Sequence, residues 1–301
     1  GYYFGVKISL YLTNEMEEKL NQCSYYLHTR DQSSLGGRAI DINLKNPITG
    51  LPMTGSSSGT AINVFLGIND IGMGTDGGGS VLAPAISLNL FSVIDPLLFQ
   101  EERKKEIEKV STDGISFIPS IGLISKNLKL LRELYLNLRA LENSNRETKI
   151  LVDDENICNL LKDENLEVSS FEGKYDNERL ALIETAKRLL EKYDIIVSKE
   201  GPVDLNGFGD TVFGHFADKT KKIQVAANKG FLRIANMANC FALTVPSGEL
   251  STAYVILCDS NNVSAIRKSF LIAESLYREN DALSERYFLN YKNYFMNGYS
   301  N

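Results

Sequence analysis

The feature that most constrains this chain is a run of glycines ending on a serine, Gly74-Thr75-Asp76-Gly77-Gly78-Gly79-Ser80. Consecutive glycines admit positive φ and let several backbone N–H groups point into one concavity. A serine at the end of such a run has hydrogen-bond donors beside its own hydroxyl. Acyl transfer needs that arrangement, because an oxygen that becomes negative must meet N–H donors already in place. Gly77, Gly78 and Gly79 are the candidate donors, with Ser80 as candidate nucleophile. A second cluster, Thr54-Gly55-Ser56-Ser57-Ser58-Gly59, lies shortly before it. Two other readings of the glycines stand beside this one. Gly72-x-Gly74-x-x-Gly77 fits the loose dinucleotide fingerprint, with Asp95 as its acidic residue, although Gly78, Gly79 and Pro84 fall where a helix should begin. A plain flexible loop is the other.

The rest of the chain narrows the chemistry. Its 301 residues carry a formal charge of −6, which argues against a phosphate-binding groove and so against nucleic-acid partners. No apolar run reaches the roughly 18 residues that span a bilayer, and no secretory signal is visible, so a cytoplasmic protein without membrane contact is expected. The four cysteines, Cys23, Cys158, Cys240 and Cys258, form no C-x-x-C pair and read as small buried hydrophobes. His28 and His215 are far apart and supply neither a zinc site nor a Ser-His-Asp triad. No metal and no cofactor is expected, and any general base is not histidine.

Strands and helices alternate along the chain. Residues 2–12 read as a strand, 14–27 as helical, 31–60 as irregular and 61–67 as a short helix. The charged stretch 98–110 reads as a solvated helix or excursion. Leu128, Leu131, Leu134, Tyr135 and Leu138 recur at helical spacing within 127–141. Strands are expected at 149–152, 194–198, 241–246 and 253–258, and helices at 180–193 and 263–277. No linker breaks the pattern, so one α/β domain spanning 1–301 is the simplest account.

The two loops together resemble the signature of the amidase-signature hydrolases. That signature joins a Gly-Gly-Ser-Ser-Gly-Gly loop to Gly-Thr-Asp-x-Gly-Gly-Ser-x-x-x-Pro-Ala. Its counterparts here are Gly55-Ser56-Ser57-Ser58-Gly59 and Gly74-Thr75-Asp76-Gly77-Gly78-Gly79-Ser80-Val81-Leu82-Ala83-Pro84-Ala85, with the family's interval between the two serines. Asn46-Pro47 is similar to the family's lead-in, and residues 117–125 and 236–248 resemble two later family stretches.

The resemblance implies an α/β/α sandwich around a central mixed β-sheet. It also implies a Ser–cis-Ser–Lys triad that opens linear amides through an acyl-enzyme. In that triad Ser80 attacks, and Ser56, joined to Gly55 by a cis peptide, relays the proton. Lys7 in Phe4-Gly5-Val6-Lys7 is the base, with Lys45 the next candidate. Gly55, Ser57, Thr75 and Asp76 support the site, Asp76 by orienting the glycine loop. The family's usual Arg two residues after the nucleophile is Leu82 here. Pocket walls are expected from loops near 90–115 and 199–230. Three functions remain open: hydrolysis of a small-molecule amide, the amidase subunit of an amidotransferase complex, and a catalytically impaired binding protein. A homo-oligomer or a partner subunit is possible in each.

Overall fold

The computed structural model of the chain describes residues 1–34, 40–103, 107–142, 144, 146–162, 165–209 and 217–290. The chain opens with β1 (Tyr2–Lys7), α1 (Asn14–Gln22) and β2 (Tyr25–Asp31). Next come the short strands β3 (Ile40–Lys45) and β4 (Pro52–Thr54), then α2 (Ser58–Phe65), β5 (Ile71–Asp76), α3 (Leu82–Ser87) and β6 (Phe91–Asp95). A small hairpin, β7 (Lys109–Val110) and β8 (Ser116–Phe117), precedes β9 (Ser120–Ser125) and α4 (Leu128–Arg139). The second half runs β10 (Ile150–Val152), α5 (Glu155–Leu161), β11 (Leu166–Val168), α6 (Arg179–Lys192) and β12 (Ile195–Glu200). It closes with α7 (Asp218–Val225), β13 (Cys240–Pro246), β14 (Ala253–Asp259) and α8 (Val263–Leu276).

Ten strands form one mixed sheet in the order β11-β10-β12-β14-β13-β6-β9-β5-β1-β2. Neighbours are parallel at both ends of the sheet, where β1 lies between β2 and β5 and β10 between β11 and β12. They are antiparallel through the middle. Side chains alternate across a strand, and here adjacent residues enter two different cores. Val93, Leu123, Phe241 and Ile256 pack on one face with Leu131, Tyr135 and Phe270. Ile94, Ile124, Ala242 and Leu257 pack on the other with Val64, Leu82, Ile86 and Leu182. A sheet apolar on both faces must be covered on both, which makes the α/β/α sandwich expected from the sequence.

Three expectations need correction. The helical segment read as far as Leu27 stops at Gln22, and the chain turns through Ser24 at φ 67° into β2. The stretch 31–60 holds the antiparallel pair β3–β4. In 98–110 the helix alternative falls and the excursion stands, since the described residues form a turn and then β7. Tyr135, from the heptad-like apolar stripe, is fully buried and donates its hydroxyl to Asp95 at 2.6 Å. Asp95 also pairs with Arg139, so it is a core residue and not a ribose ligand.

The four cysteines are free, with Cys240 and Cys258 buried and Cys23 and Cys158 half-buried. Among the described residues no helix is long and apolar enough to cross a membrane, and no cluster of His, Cys, Asp and Glu could hold a metal ion.

Candidate active site

Lys7 ends β1, where it pairs with Asp31 of the parallel strand β2, one residue beyond the last β1–β5 partner, Val6. The Ile8 N–H donates to the Asp31 carbonyl at 2.8 Å just beyond it, so the strand end does not fray. The side chain turns inward and only 5% of it is exposed. Its Nζ donates to Ser56 Oγ at 2.6 Å and to Thr75 Oγ1 at 2.8 Å. Desolvation lowers the Lys7 pKa to about 7, with the Lys109 cation adding to the effect and the Asp76 carboxylate opposing it. Lys45 is exposed on β3, opposite Pro52, and takes no part.

Ser56 sits at the turn between β4 and α2. The Gly55–Ser56 peptide is trans, against the cis bond expected. Among the described residues the cis bond is Gly201–Pro202. The turn is made instead by Gly55 at φ +100°, a conformation open to glycine, and a Cβ there would also strike Pro84. Positive φ at this one residue aims the Ser56 hydroxyl at Lys7. The next residue joins the two signature loops, since the Ser57 N–H donates to the Ser80 carbonyl at 3.2 Å.

Ile71–Asp76 is a fully buried strand, so Gly72 and Gly74 lie inside the sheet and not in a strand-to-helix turn. The following helix begins at Leu82, which excludes the dinucleotide reading. Side chains at Gly72 and Gly74 would collide with Thr60 and Ser57 of the overlying segment. These glycines serve close packing.

Asp76 is wholly buried at the end of β5 and gathers the loop around its carboxylate. It accepts the N–H of Gly79 at 2.8 Å, Val81 at 2.6 Å and Leu82 at 3.1 Å. Burial pushes the Asp76 carboxyl above its ordinary value, against the pull of these amides and Lys7. Asp76 thus ties the end of the glycine loop to the start of α3. Leu82 offers a backbone amide where an arginine side chain was absent. The Gly79 N–H, expected among the oxyanion donors, is already engaged here. Gly77 and Gly78 keep their place on the cavity wall.

Ser80 is half-buried and faces a cavity of about 620 Å³ that Lys7, Ser56, Thr75 and the three glycines also line. The structure thus brings together Lys7, Ser56, Thr75, Gly77, Gly78, Gly79 and Ser80. Ser57 and Asp76 stand immediately behind them. Lys7 is hydrogen-bonded to Ser56, while the Ser80 hydroxyl opens into the cavity without a hydrogen bond to a described residue.

Several residues of this site were visible in the sequence only as members of longer stretches and were not singled out. Asn236 is buried and ties three segments together. Its Oδ1 accepts from Ser120 N at 3.0 Å, and its Nδ2 donates to the Ile118 and Gly77 carbonyls at 3.1 and 3.4 Å. The Phe117 ring lies where a side chain on Gly77 would stand. The buried Lys229 pairs with Asp204 at 3.3 Å, and both hydrogen-bond to Thr54, next to the Gly55 turn. Glu200 fixes the turn that follows Lys229, accepting from Gly230 N at 2.8 Å and Phe231 N at 2.7 Å. Lys109, Ser111, Gly209 and Lys229 line the cavity, so the walls come from the two loop regions expected, with Arg179 and Met237 added. His28 lies away from the cavity, on β2 against the Ile68 carbonyl, and His215 lies outside the described residues.

The fold of this chain is that of solved amidase-signature enzymes. A bacterial aryl acylamidase of the amidase-signature family superposes with a TM-score of 0.59 at 13% identity, over 91% of this chain and 82% of that one. The allophanate hydrolase of Kluyveromyces lactis gives 0.60 at 14%, over 91% and 62%. An amidase family protein from Bacillus anthracis gives 0.57 at 11%, over 91% and 77%. The sequence matches no protein-family model and no curated protein.

Proposed function

We propose that this protein is an amide hydrolase that works by acyl transfer, with Ser80 as nucleophile, Ser56 as proton relay and Lys7 as general base. The observation that carries the reading is the 2.6 Å contact between a buried lysine, with its pKa brought to about 7, and a serine of the neighbouring loop. A base works best when its pKa lies near the working pH. Burial brings Lys7 there.

In this mechanism neutral Lys7 takes the Ser56 proton, and Ser56 takes that of Ser80 as Ser80 Oγ attacks the amide carbon. The negative oxygen that forms is met by N–H groups of the glycine loop, Gly77 and Gly78 being the candidates once Gly79 is engaged with Asp76. The proton returns through the same hydroxyl to the departing nitrogen, the C–N bond breaks, and water then releases the acyl group from Ser80. Thr75 accepts a hydrogen bond from Lys7 and holds it on Ser56. The amine's contact with Ser56 also argues against an impaired binding protein, a reading that would separate the two.

The test is a screen of small linear amides and the matching esters against the wild type and Ser80→Ala. Turnover of at least one amide by the wild type, abolished by Ser80→Ala, is the expected outcome. Equal turnover by both proteins would refute the assignment.

A further inference from the structure

The charge on the cavity wall is one-sided. Four basic side chains, Lys7, Lys109, Arg179 and Lys229, line the space in front of Ser80, and none of the described lining residues is an aspartate or glutamate. This holds in a chain with 38 acidic and 32 basic residues, so the asymmetry belongs to the site and not to the composition.

Three of the four have other work. Lys7 serves Ser56. Arg179 is bound through two nitrogens to Asp113. Lys229 is bound to Asp204 and Thr54. Lys109 has no carboxylate partner among the described residues. Its Nζ rests 4.7 Å above the centre of the Tyr11 ring, and partial burial lowers its pKa from the ordinary lysine value.

Its position is also built. Lys109 begins the β7–β8 hairpin, which is closed by Ser111 N donating to the Ile115 carbonyl at 2.9 Å. The tip is held to α6 through Asp113 and Arg179, and the far strand is held to the glycine loop through Phe117. A lysine presented on a pinned hairpin, partly desolvated and lacking an anion, is set to receive one.

Resting on the hydrolase reading above, we propose that the substrate is an amide carrying a carboxylate, and that Lys109 is the specificity-determining residue that recognises that carboxylate. The arrangement discriminates in both directions. A carboxylate supplies the missing counter-charge, whereas a cationic amide meets like charge in a cavity without acids. Arg179 and Lys229 are each already neutralised by their own aspartate, so the unmatched charge on this wall is that of Lys109.

The test uses an uncharged sulfonyl fluoride that sulfonylates Ser80 with loss of fluoride, and measures how far small competitors slow it. The competitors are matched pairs: malonamate and malonamide, succinamate and succinamide, glutaramate and glutaramide. In the wild type at least one acid should protect tenfold better than its diamide. In Lys109→Ala the ratio should fall to within about twofold of one, and in Lys109→Arg it should be retained. The ratio is taken within each variant, so a change in the labelling rate itself cancels. Diamides that protect as well as the acids, acids that never protect, or an unchanged ratio in Lys109→Ala would overturn the proposal. Absence of Ser80 labelling in the wild type strikes the hydrolase reading, and the carboxylate proposal falls with it.

Discussion

A lysine buried in a sheet is expensive to keep charged. The unfolded chain holds the Lys7 proton up to the ordinary value of 10.5, the folded one only to about 7. Between those values the unfolded state binds more protons, so Lys7 makes stability rise with pH across this window and weighs most against the fold below it. Replacing Lys7 by Met removes that burden. Lys7→Met should raise Tm at pH 6, reflecting a stabilisation on the order of 1–3 kcal/mol, while acylation of Ser80 is lost. A lower Tm would show that Lys7 is structural. The acylation rate of the wild type should climb tenfold per pH unit below about 7 and level off above it, because the proposed mechanism needs the neutral amine. A rate still rising at pH 10 would contradict the depressed value. Lys109 pushes in the same direction as burial, so Lys109→Ala should move the midpoint of that curve upward, read from the same pH series.

The glycine loop is held between two buried anchors. Asp76 collects three amides from within the loop, and Asn236 ties Gly77 to the start of β9. Asn236→Ala leaves several buried polar groups unpaired and should cost about 1–3 kcal/mol, measured by denaturant unfolding, with a fall in Ser80 acylation at 25 °C. Gly77→Ala places a methyl group inside the Phe117 ring. It should suppress acylation, and Gly77→Ala combined with Phe117→Ala should recover part of it if crowding is the cause. No recovery would place the defect in the backbone conformation.

What the sequence revealed of these elements followed its strongest patterns. The stripe from Leu128 to Leu138 and the apolar runs of β12, β13 and β14 gave themselves away by period and hydrophobicity. The strand β5 did not, because Gly72 and Gly74 have low strand propensity and are kept for close contact with Thr60 and Ser57. Strand β2 was obscured by the helix before it, since the turn at Cys23 and Ser24 contains neither Gly nor Pro. The trans peptide at Ser56 lay beyond any pattern, because Gly55 permits either way of making the turn.

On the scale of the molecule, the sheet brings distant segments to one place. Strands β1 and β5 are adjacent, so Lys7 and Thr75 meet although far apart in sequence, and the turn after β4 lays Ser56 over them. The residues of the candidate site were legible as a group because two short motifs and a strand carry them. The walls were legible only as regions, because Lys109, Arg179 and Lys229 each come from a different segment and no spacing links them. The comparisons extend the fold over 91% of the chain at identities of 11–14%.

The central claim is that the hydroxyls of Ser80 and Ser56 and the amine of Lys7 act as one chain. It is tested most directly by locating the adduct of a serine-directed acyl probe with peptide mass spectrometry in the wild type and in Ser80→Ala, Lys7→Ala and Ser56→Ala. The account predicts stoichiometric modification of Ser80 in the wild type, none in Ser80→Ala, and labelling slowed at least a hundredfold in Lys7→Ala and less severely in Ser56→Ala. An adduct on another residue, or Lys7→Ala labelled as fast as the wild type, would contradict it.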